Sequence, residues 1–481
     1  MQVSNCRSFW PTRFVCLAIF SCCTCLGQTT PAEKAPAPDP PASPTNESKN
    51  FFARWREYYR QDWAPAAAAD TSPEPTRRGL PAPLESPPFP DEDWTYGGSP
   101  AIGLPDSNSY PLMTALKHPN SRTKIYGWIN PTLNFSTSDH ENWPEANDEF
   151  ADRFELNELT VYVERLPDSV QTDHIDWGYH LTALYGTDYR FTMGKGYFSS
   201  QWLDDHHQYG FDPALEYFDL YVPYWFKGMN FRVGRFLTLP GIEGEQTPSN
   251  YLSSVSLAYL VSPTSDTGIV ATAKLSDQLV VQLGINAGHD VALWTPDAKP
   301  SVTACVSYTT HAVTDNIYAC ANGINDGKYA YDNMQQYDTT WYHKFSKTFT
   351  METEAVYMYQ RQVPAVAGPV APQPNTFAAH CLPGAQTCTA PEYAVLNLIE
   401  KGLSATNYVT LRNEFLNDKK GQGTGYSTKY TEHTFGFCHW IGSTIQIRPE
   451  IRFERAWDAK AYNTGQQHNS ITVASDIIFH F

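Results

Sequence analysis

The sequence predicts an all-β protein, a transmembrane antiparallel up-and-down β-barrel of about 16 strands that follows a disordered Pro-rich N-terminal arm. Apolar and polar residues alternate with a period of two from about Thr123 to the final residue. The connections between the predicted strands are alternately long and short, which is typical of membrane barrels. A β-sandwich or propeller would explain the strands but not this alternation of loop lengths.

The composition excludes several classes of protein. The chain has 481 residues, a formal net charge of −17, a mean hydropathy of −0.44 and 14% aromatic residues. Its apolar fraction is too high for a wholly disordered chain. Beyond its N-terminus it lacks the run of about 20 apolar residues that a spanning helix requires. These figures also suit a soluble acidic protein, so the strand pattern has to separate that class from a barrel.

The N-terminus has the pattern of a cleaved secretory signal peptide over residues 1–27. Two arginines precede an apolar core, and the small residues Cys25 and Gly27 stand where a signal peptidase reads its site. A lipoprotein signal is disfavoured because Phe20 is too bulky for a lipobox. Cleavage makes the mature chain two charges more negative than −17, which argues against nucleic acid as a partner.

Residues 28–119 form the predicted periplasmic arm. Most of this segment is rich in Pro, Ala, Ser and Asp, a composition that buries too little apolar surface to fold. Within it, residues 49–63 have the spacing of one short amphipathic helix. Two interpretations are open: the helix contacts a periplasmic partner or the cell wall, or it is a sticky patch within a tether.

The barrel is predicted over residues 120–481. In the stretch that begins at Ile445, apolar residues face one way while Arg and Glu face the other, so that one side meets lipid or a core and the other meets water. Sixteen strands are predicted, at 123–138, 154–166, 174–187, 214–226, 228–237, 266–276, 279–288, 300–311, 315–325, 334–346, 349–362, 392–400, 403–417, 426–442, 445–458 and 469–481.

The connections after even-numbered strands are mostly short turns. Those after odd-numbered strands are mostly long, and they include 139–153, 188–213, 238–265, 289–299, 363–391 and 459–468. Long loops on one side, short turns on the other and an even strand number are typical of bacterial outer-membrane barrels. We therefore predict a protein of the outer membrane of a diderm bacterium, surrounded by lipid.

The C-terminus carries the most specific signal. Ile477, Phe479 and Phe481 lie on one face of the last predicted strand, and the chain ends on Phe481. A terminal aromatic residue with apolar residues at every second position resembles the signal that the outer-membrane assembly machinery reads. We expect that machinery to be a partner through Phe481, and closure by this strand removes an exposed sheet edge.

Five cysteines remain after the signal peptide. Cys381 and Cys388 bracket a short Pro-Gly loop, which favours a local disulfide in an oxidising compartment. Cys305 and Cys320 lie on consecutive predicted strands where they could pair across a hairpin, and Cys438 is left over. Unlinked, packed thiols are the alternative. No spacing among the cysteines and histidines suggests a zinc site, so no metal is predicted.

Ionisable residues on the strands are predicted to line the lumen, since Arg at mid-membrane on the lipid face costs roughly 2–4 kcal/mol. Two interpretations are open: the interleaved charges create a transverse field that filters ions, or Arg412–Glu414 and Arg448–Glu454 merely neutralise each other. The predicted lining residues are Glu158, Glu164, Arg232, Glu352, Glu354, Arg412, Glu414, Arg448, Glu450, Arg452 and Glu454.

The loop 188–213 is long and aromatic, so we consider it as a constriction that folds into the mouth or the lumen. Its tyrosine, tryptophan and phenylalanine residues would suit sugar rings, although an aromatic girdle at the membrane interface explains most of them. Asp204, Asp205, His206 and His207 are a candidate surface site for a divalent cation. An exposed polar loop is the more economical interpretation, because four consecutive residues rarely converge on one ion.

Four segments carry a resemblance to a known family, and their residues are 231–251, 262–269, 408–430 and 447–458. The chain resembles the β-barrel porin-2 family, the OmpL-like porins, in the form common in planctomycetes, over about 123–481. The resemblance implies a closed outer-membrane barrel that acts as a passive channel.

We therefore predict a porin whose water-filled channel passes small hydrophilic solutes or ions, with no cofactor and no enzymatic activity. One alternative is a surface adhesin or structural anchor with an inert barrel. A lipid hydrolase is less favoured: His433, His439 and Ser443 lie near one another in sequence, but no nucleophile motif accompanies them.

Overall fold

The computed structural model describes residues 50–64 and 110–481, with gaps at 140, 146, 200–207, 313, 347, 367–377 and 405. The predicted signal peptide and most of the predicted arm lie outside the described residues. None of the helices in the described part of the chain is long and apolar enough to cross a membrane.

The described chain is dominated by antiparallel strands. Their bounds are β1 Lys124–Ser136, β2 Phe154–Arg165, β3 Asp176–Gly186, β4 Gly210–Asp212, β5 Glu216–Val222, β6 Met229–Leu237, β7 Ser265–Lys274, β8 Leu279–His289, β9 Ser301–Thr309, β10 Asp315–Ile324, β11 Gln335–Ser346, β12 Phe349–Pro364, β13 Thr387–Ser404, β14 Asn407–Asp418, β15 Thr428–Ile441, β16 Ile445–Ala456 and β17 Asn469–His480.

Sequential strands pair as neighbours around the sheet, and β17 returns to pair with β1. The short β4 and the longer β5 both pair with β3, so together they occupy one position in the wall. Pro213 follows β4 and has no N–H to donate, which explains the interruption there. The result is the closed 16-strand antiparallel barrel that the sequence predicts.

The two faces of the wall differ as the period-two pattern requires. On β16 and β17 the apolar side chains of Phe453, Val473 and Ile477 are exposed on the outer face, whereas Arg452 and Asp476 between them are buried on the inner face. Because side chains alternate across a strand, every strand of this kind presents an apolar outer surface and a polar inner surface.

Two helices precede the barrel in the described residues. Helix α1 spans Phe51–Asp62, and its N-terminus is capped by the side chain of Asn50. Helix α2 spans Pro111–Ala115 and packs with inward-facing aromatic residues of β1 and β2. The Tyr59 hydroxyl donates to the carbonyl of His480, 3.0 Å away, so α1 rests on the last strand.

The connection 238–264 between β6 and β7 turns into the barrel, and we call it the inserted loop. It contains a 3₁₀ turn at Thr247–Ser249 and the short helix α4, Leu257–Val261. Another short helix, α3, spans Tyr189–Thr192 in the connection after β3. The side chains of Leu257 and Val261 pack against inward-facing apolar residues of β12–β16, so the loop has a small core of its own inside the barrel.

Candidate functional site

The charged residues that the sequence analysis placed in the lumen are found on the inner face of the wall. All eleven are buried, and the most exposed of them, Arg232, has 6% of its surface accessible. Several of these side chains form hydrogen bonds with the inserted loop. Their role as the lining of a conducting channel therefore stays a prediction, while their contacts with the loop are a geometric fact.

Glutamates of the wall bind backbone amides of the inserted loop. The Glu354 carboxylate accepts from the amide of Ile242 at 2.9 Å, and Glu450 accepts from Ser253 at 2.9 Å. Glu414 accepts from two consecutive amides at the start of α4, with 2.8 Å to that of Leu257. Hydrogen bonds to ionised acceptors are about twice as strong as neutral ones, so three strands hold the loop from different sides.

Arginines of the wall bind the carbonyls of the same loop. Arg412 donates to the carbonyl of Ser254 at 2.6 Å, and Arg452 donates to that of Val255 at 2.8 Å. Arg448 reaches two carbonyls, with 2.6 Å to that of Asn250. Amides therefore meet carboxylates and carbonyls meet guanidinium groups, which satisfies the polar backbone of a buried loop.

These arginines also pair with carboxylates of the wall. Arg412 lies 3.2 Å from Glu432 on β15, rather than being neutralised by Glu414 two residues along its own strand. Arg448 pairs with Asp476 on β17. Arg452 does pair along its own strand, 2.6 Å from Glu454. Neighbouring strands lie under 5 Å apart, so cross-strand carboxylates compete well with those on the same strand.

A second group of charged pairs lies on β2, β3, β5 and β6. Arg232 is 3.0 Å from Asp219, and Glu164 accepts from the hydroxyl of Tyr126 at 2.7 Å. His180 approaches Glu164 at 2.8 Å. Glu158 receives hydrogen bonds from Trp128 and from Thr247 of the inserted loop.

Sequence reasoning missed several inward-facing charges. Asp219, Glu432 and Asp476 share the period-two pattern of the predicted lining, so that pattern extended to every strand would have found them. Arg235 breaks the pattern because Gly234 has a φ of 138°, where a Cβ atom would lie 2.1 Å from the carbonyl oxygen of Glu216. The backbone irregularity turns Arg235 inward, where it lies 3.2 Å from Asp212.

A small cavity of about 60 Å³ lies beside the inserted loop, between the end of β6 and strands β11 and β12. Its lining includes the side chains of Glu243 and Glu245 from the loop, and of Gln336 and Glu354 from the wall. Burial, reinforced by the charge of Glu158, raises the pKa of the Glu245 carboxyl well above its usual range. The cavity is therefore a polar space with an acidic lining.

The loop 188–213 is described only at its two ends. Residues Asp204, Asp205, His206 and His207 of the candidate cation site lie outside the described residues. The first part of this loop packs against the inserted loop, with the rings of Phe191 and Tyr259 centred 6.0 Å apart. Arg235 of β6 also donates to the carbonyl of Thr192 in this loop, so the charged wall holds the first part of this connection as well as 238–264.

The amino-acid composition of the inserted loop is that of a buried segment. Between Thr238 and Thr264 it contains no Lys, Arg or Asp, but it does contain apolar residues such as Leu252 and Leu257. Such a composition suits a buried segment better than an exposed loop. Gly436 on β15 completes the fit, because a Cβ there would lie 2.3 Å from the side chain of Leu252.

The residues considered for hydrolysis are not assembled into a catalytic unit. His433 and His439 each approach an asparagine of β14 at 2.8 Å. The amide of Ser443 donates to the Asp62 carboxylate of α1 at 2.8 Å, and its hydroxyl is bonded to the same group. Within the described residues, no group of three or more His, Cys, Asp or Glu side chains is arranged to hold a metal ion.

The structure contains two disulfides. Cys305 and Cys320 are direct cross-strand partners on β9 and β10, and Cys381 is bonded to Cys388 at the start of β13. Cys438 is buried and free. At the C-terminus Phe479 faces outward and contacts the ring of Tyr59, with 5.0 Å between centroids.

Acidic side chains in the connections after β1 and β3 are also deeply buried. Burial, with the charge of Glu450, raises the pKa of Asp148 to about 7. Burial likewise raises the pKa of Asp188 to about 6, although Arg190 opposes the shift. Because these pKa values lie near neutral pH, we expect the packing of the connections after β1 and β3 to depend on pH.

A model of the family described as "Putative beta-barrel porin-2, OmpL-like" matches residues 122–481. Among solved structures, the chain is similar to an anion-selective porin from Comamonas acidovorans, with 10% identity, a TM-score of 0.45, and coverage of 75% of this chain and 99% of that one. It is also similar to the outer membrane channel DcaP of Acinetobacter baumannii, with 10% identity, a TM-score of 0.46, and coverage of 75% and 97%. The trimer form of OmpT, an outer membrane protein of Vibrio cholerae, has 9% identity, a TM-score of 0.44, and coverage of 75% and 99%.

No curated protein matches the sequence. The family match nevertheless begins before β1 and ends after β17, so it takes in every strand of the barrel. This chain therefore belongs to the OmpL-like β-barrel porin-2 family of outer-membrane channels.

Proposed function

We propose that the protein is a narrow porin through which small hydrophilic solutes and ions diffuse passively across the outer membrane. The observation that carries this proposal is a closed barrel with a polar inner face and the inserted loop, 238–264, folded inside it. A barrel of about 16 strands is wide enough for an aqueous channel, unlike an eight-stranded barrel that its own side chains fill.

The contacts of the inserted loop support a narrow path rather than a wide one. The loop packs against β12–β16 through Leu257 and Val261, and it leaves the acidic cavity on the side of β6 and β11. Solutes that follow this side would pass one at a time between the loop and the wall. Porin lumens use such charged constrictions to select what passes.

Export by a cleaved signal peptide, recognition of Phe481 by the barrel assembly machinery, and contact of the arm with a periplasmic or cell-wall partner belong to the same proposal. The family and the barrel fold support a channel rather than an enzyme. The aromatic and basic composition of α1 suits the region where a barrel rim meets lipid headgroups.

The test is conductance of the purified, refolded chain in planar bilayers, together with swelling of liposomes in sugars of increasing size. We expect stepwise currents and a low size limit. A matched variant in which Gly-Ser residues replace 243–256 should conduct more and admit larger sugars, because it opens the occupied part of the lumen. A heat-modifiable, β-rich protein that shows neither current nor swelling would refute the proposal and favour an inert anchor.

A further inference from the structure

The charges inside the barrel are unevenly balanced. Arg412, Arg448 and Arg452 on β14 and β16 each pair with a carboxylate. On β11–β13, by contrast, Asp338, Glu352, Glu354 and Glu400 face inward and are at least 95% buried, and within the described residues none of the four belongs to an ion pair. The inner face of β14–β17 therefore mixes arginines with a larger number of carboxylates, whereas no arginine lies on the inner face of β11–β13. We call these four residues the acidic wall.

Asp338 shows the imbalance most clearly. It is 3% exposed, and no arginine, lysine or hydroxyl group binds its carboxylate within the described residues; its polar neighbour is the carboxyl group of Glu354. It lies diagonally across from Glu354, whose direct partner on β11 is Thr340. The charge that acts on Asp338 is that of Glu354, which has the same sign.

The rest of the acidic wall places more acidic groups around the same space. Glu352 interacts with Glu400 on β13, with Glu354 on its own strand and with Glu243 of the inserted loop, and Glu243 is also paired with Arg412 at 2.8 Å. Glu354 and Glu243 also line the cavity beside the loop, where they are joined by Glu245. One oxygen of Glu245 and one of Glu400 lack a hydrogen-bond partner within the described residues.

Burying an ionised carboxylate without a counter-charge is costly. Such a group is neutralised either by a proton or by a cation that enters the space beside it. The cavity provides that space beside Glu354 and Glu245, while a third lining residue, Glu243, is paired with Arg412 at 2.8 Å. Rings of Asp and Glu are also the usual means by which cation channels attract their ions.

We propose that the acidic wall makes this channel selective for small cations, which travel between the inserted loop and strands β11–β13. The inference rests on the proposed porin function and adds the class of solute. The cations are attracted by the summed field of the wall and need no fixed coordination site. The paired arginines on β14 and β16 hold the loop and leave the selectivity to the carboxylates.

The test is the reversal potential of the full-length protein in planar bilayers under a KCl gradient. We expect a potential toward that of K⁺ for the wild type. The variant Asp338→Asn with Glu354→Gln should lose at least about threefold in the ratio of K⁺ to Cl⁻ permeability, because one unit charge about 6 Å from an ion changes its occupancy about threefold even at the dielectric of water. The control removes two exposed carboxylates, Asp277→Asn with Asp458→Asn, and should keep the wild-type ratio.

The outcomes separate the two proposals. Wild-type channels that conduct but prefer Cl⁻ would overturn the cation selectivity and leave the porin function standing. A double variant with the same permeability ratio as the control would also overturn the cation selectivity and leave the porin function standing. A folded protein that carries no current would refute the porin function, and the selectivity with it. If the double variant does not fold, Asp338→Asn alone tests the same field, and the wild-type potential tests it without any substitution.

Discussion

The carboxylate of Glu414 should decide how tightly the inserted loop is held. It is 4% exposed and accepts from the amides of Leu257 and Ala258, which begin α4. Replacing Glu414 by Gln keeps the size of the side chain but substitutes an NH₂ group for one acceptor. One loop amide then faces a donor, and the other keeps a neutral hydrogen bond.

The magnitude follows from those two contacts. Hydrogen bonds to a charged group contribute about 1.5–3 kcal/mol each and a neutral one about 1 kcal/mol. Replacing two charged bonds by one neutral bond should therefore cost the loop roughly 2–5 kcal/mol of local stability. That corresponds to an opening equilibrium raised by roughly 30-fold to 4,000-fold, since about 1.4 kcal/mol is a factor of ten.

The assay is hydrogen exchange of the loop amides in detergent micelles, because exchange through local opening reports that equilibrium directly. Amides of residues 253–258 should exchange faster in the Glu414→Gln protein by a factor in that range, and its single-channel current should fluctuate more. Glu400→Gln is the matched control, since Glu400 is also buried but accepts from the wall residue Thr350 at 2.8 Å. Unchanged exchange in a folded Glu414→Gln barrel would show that the glutamate does not hold the loop.

Three further predictions concern the connections, the disulfide and the first helix. The pKa of Asp148 is raised to about 7, so the stability that this group contributes is present at acid pH and is lost as the pH rises through 7. Amides of its loop should therefore open more readily at pH 8 than at pH 5. The variant Asp148→Asn should reduce this difference, and asparagine suits the positive φ of 54° at that position. Replacing both Cys305 and Cys320 by Ser removes a link across 15 residues and should lower the unfolding free energy in urea by about 3 kcal/mol, whereas equal stability of the reduced and oxidised wild type would contradict this. The variant Asp62→Ala removes the hydrogen bonds between α1 and Ser443. Trypsin should then cleave within α1 faster than in the wild type, while the barrel stays heat-modifiable. Equal cleavage rates would mean that other contacts hold the helix.

The strands were predictable because a membrane wall imposes one simple rule on the sequence. Each residue faces either lipid or lumen, and the apolar and charged residues that alternate from Ile445 onward follow this rule. The rule fails where the backbone departs from a regular strand. The fourth predicted strand, 214–226, is shorter in the structure, Glu216–Val222, because residues 223–227 form a turn that begins at Pro223. Strand β13 begins at Thr387 rather than at 392 because the Cys381–Cys388 loop leads directly into it.

The inner face was predictable in position but not in function. Period-two spacing places Arg412 and Arg448 inside, yet it carries no information about what meets them there. Their partners, Ser254 and Asn250, are far away in sequence and belong to a loop with no periodic pattern. Closure of the barrel alone brings these groups together, so sequence spacing treated the charges as a lining, although several of the arginines and glutamates also bind the inserted loop.

The composition of the inserted loop explains why the arginines of the inner face lie where the loop contacts the wall. The loop has no Lys or Arg, so its backbone carbonyls need donors from the wall, and Arg412, Arg448 and Arg452 supply them. An arginine that binds both a carbonyl and a carboxylate is fixed in place and contributes little net charge to its surroundings. The carboxylates of β11–β13 have no arginine partner within the described residues, so we propose that they set the sign of the field along the remaining path. The formal charge of −17 does not establish selectivity, because selectivity depends on which few of those charges remain unpaired beside the cavity.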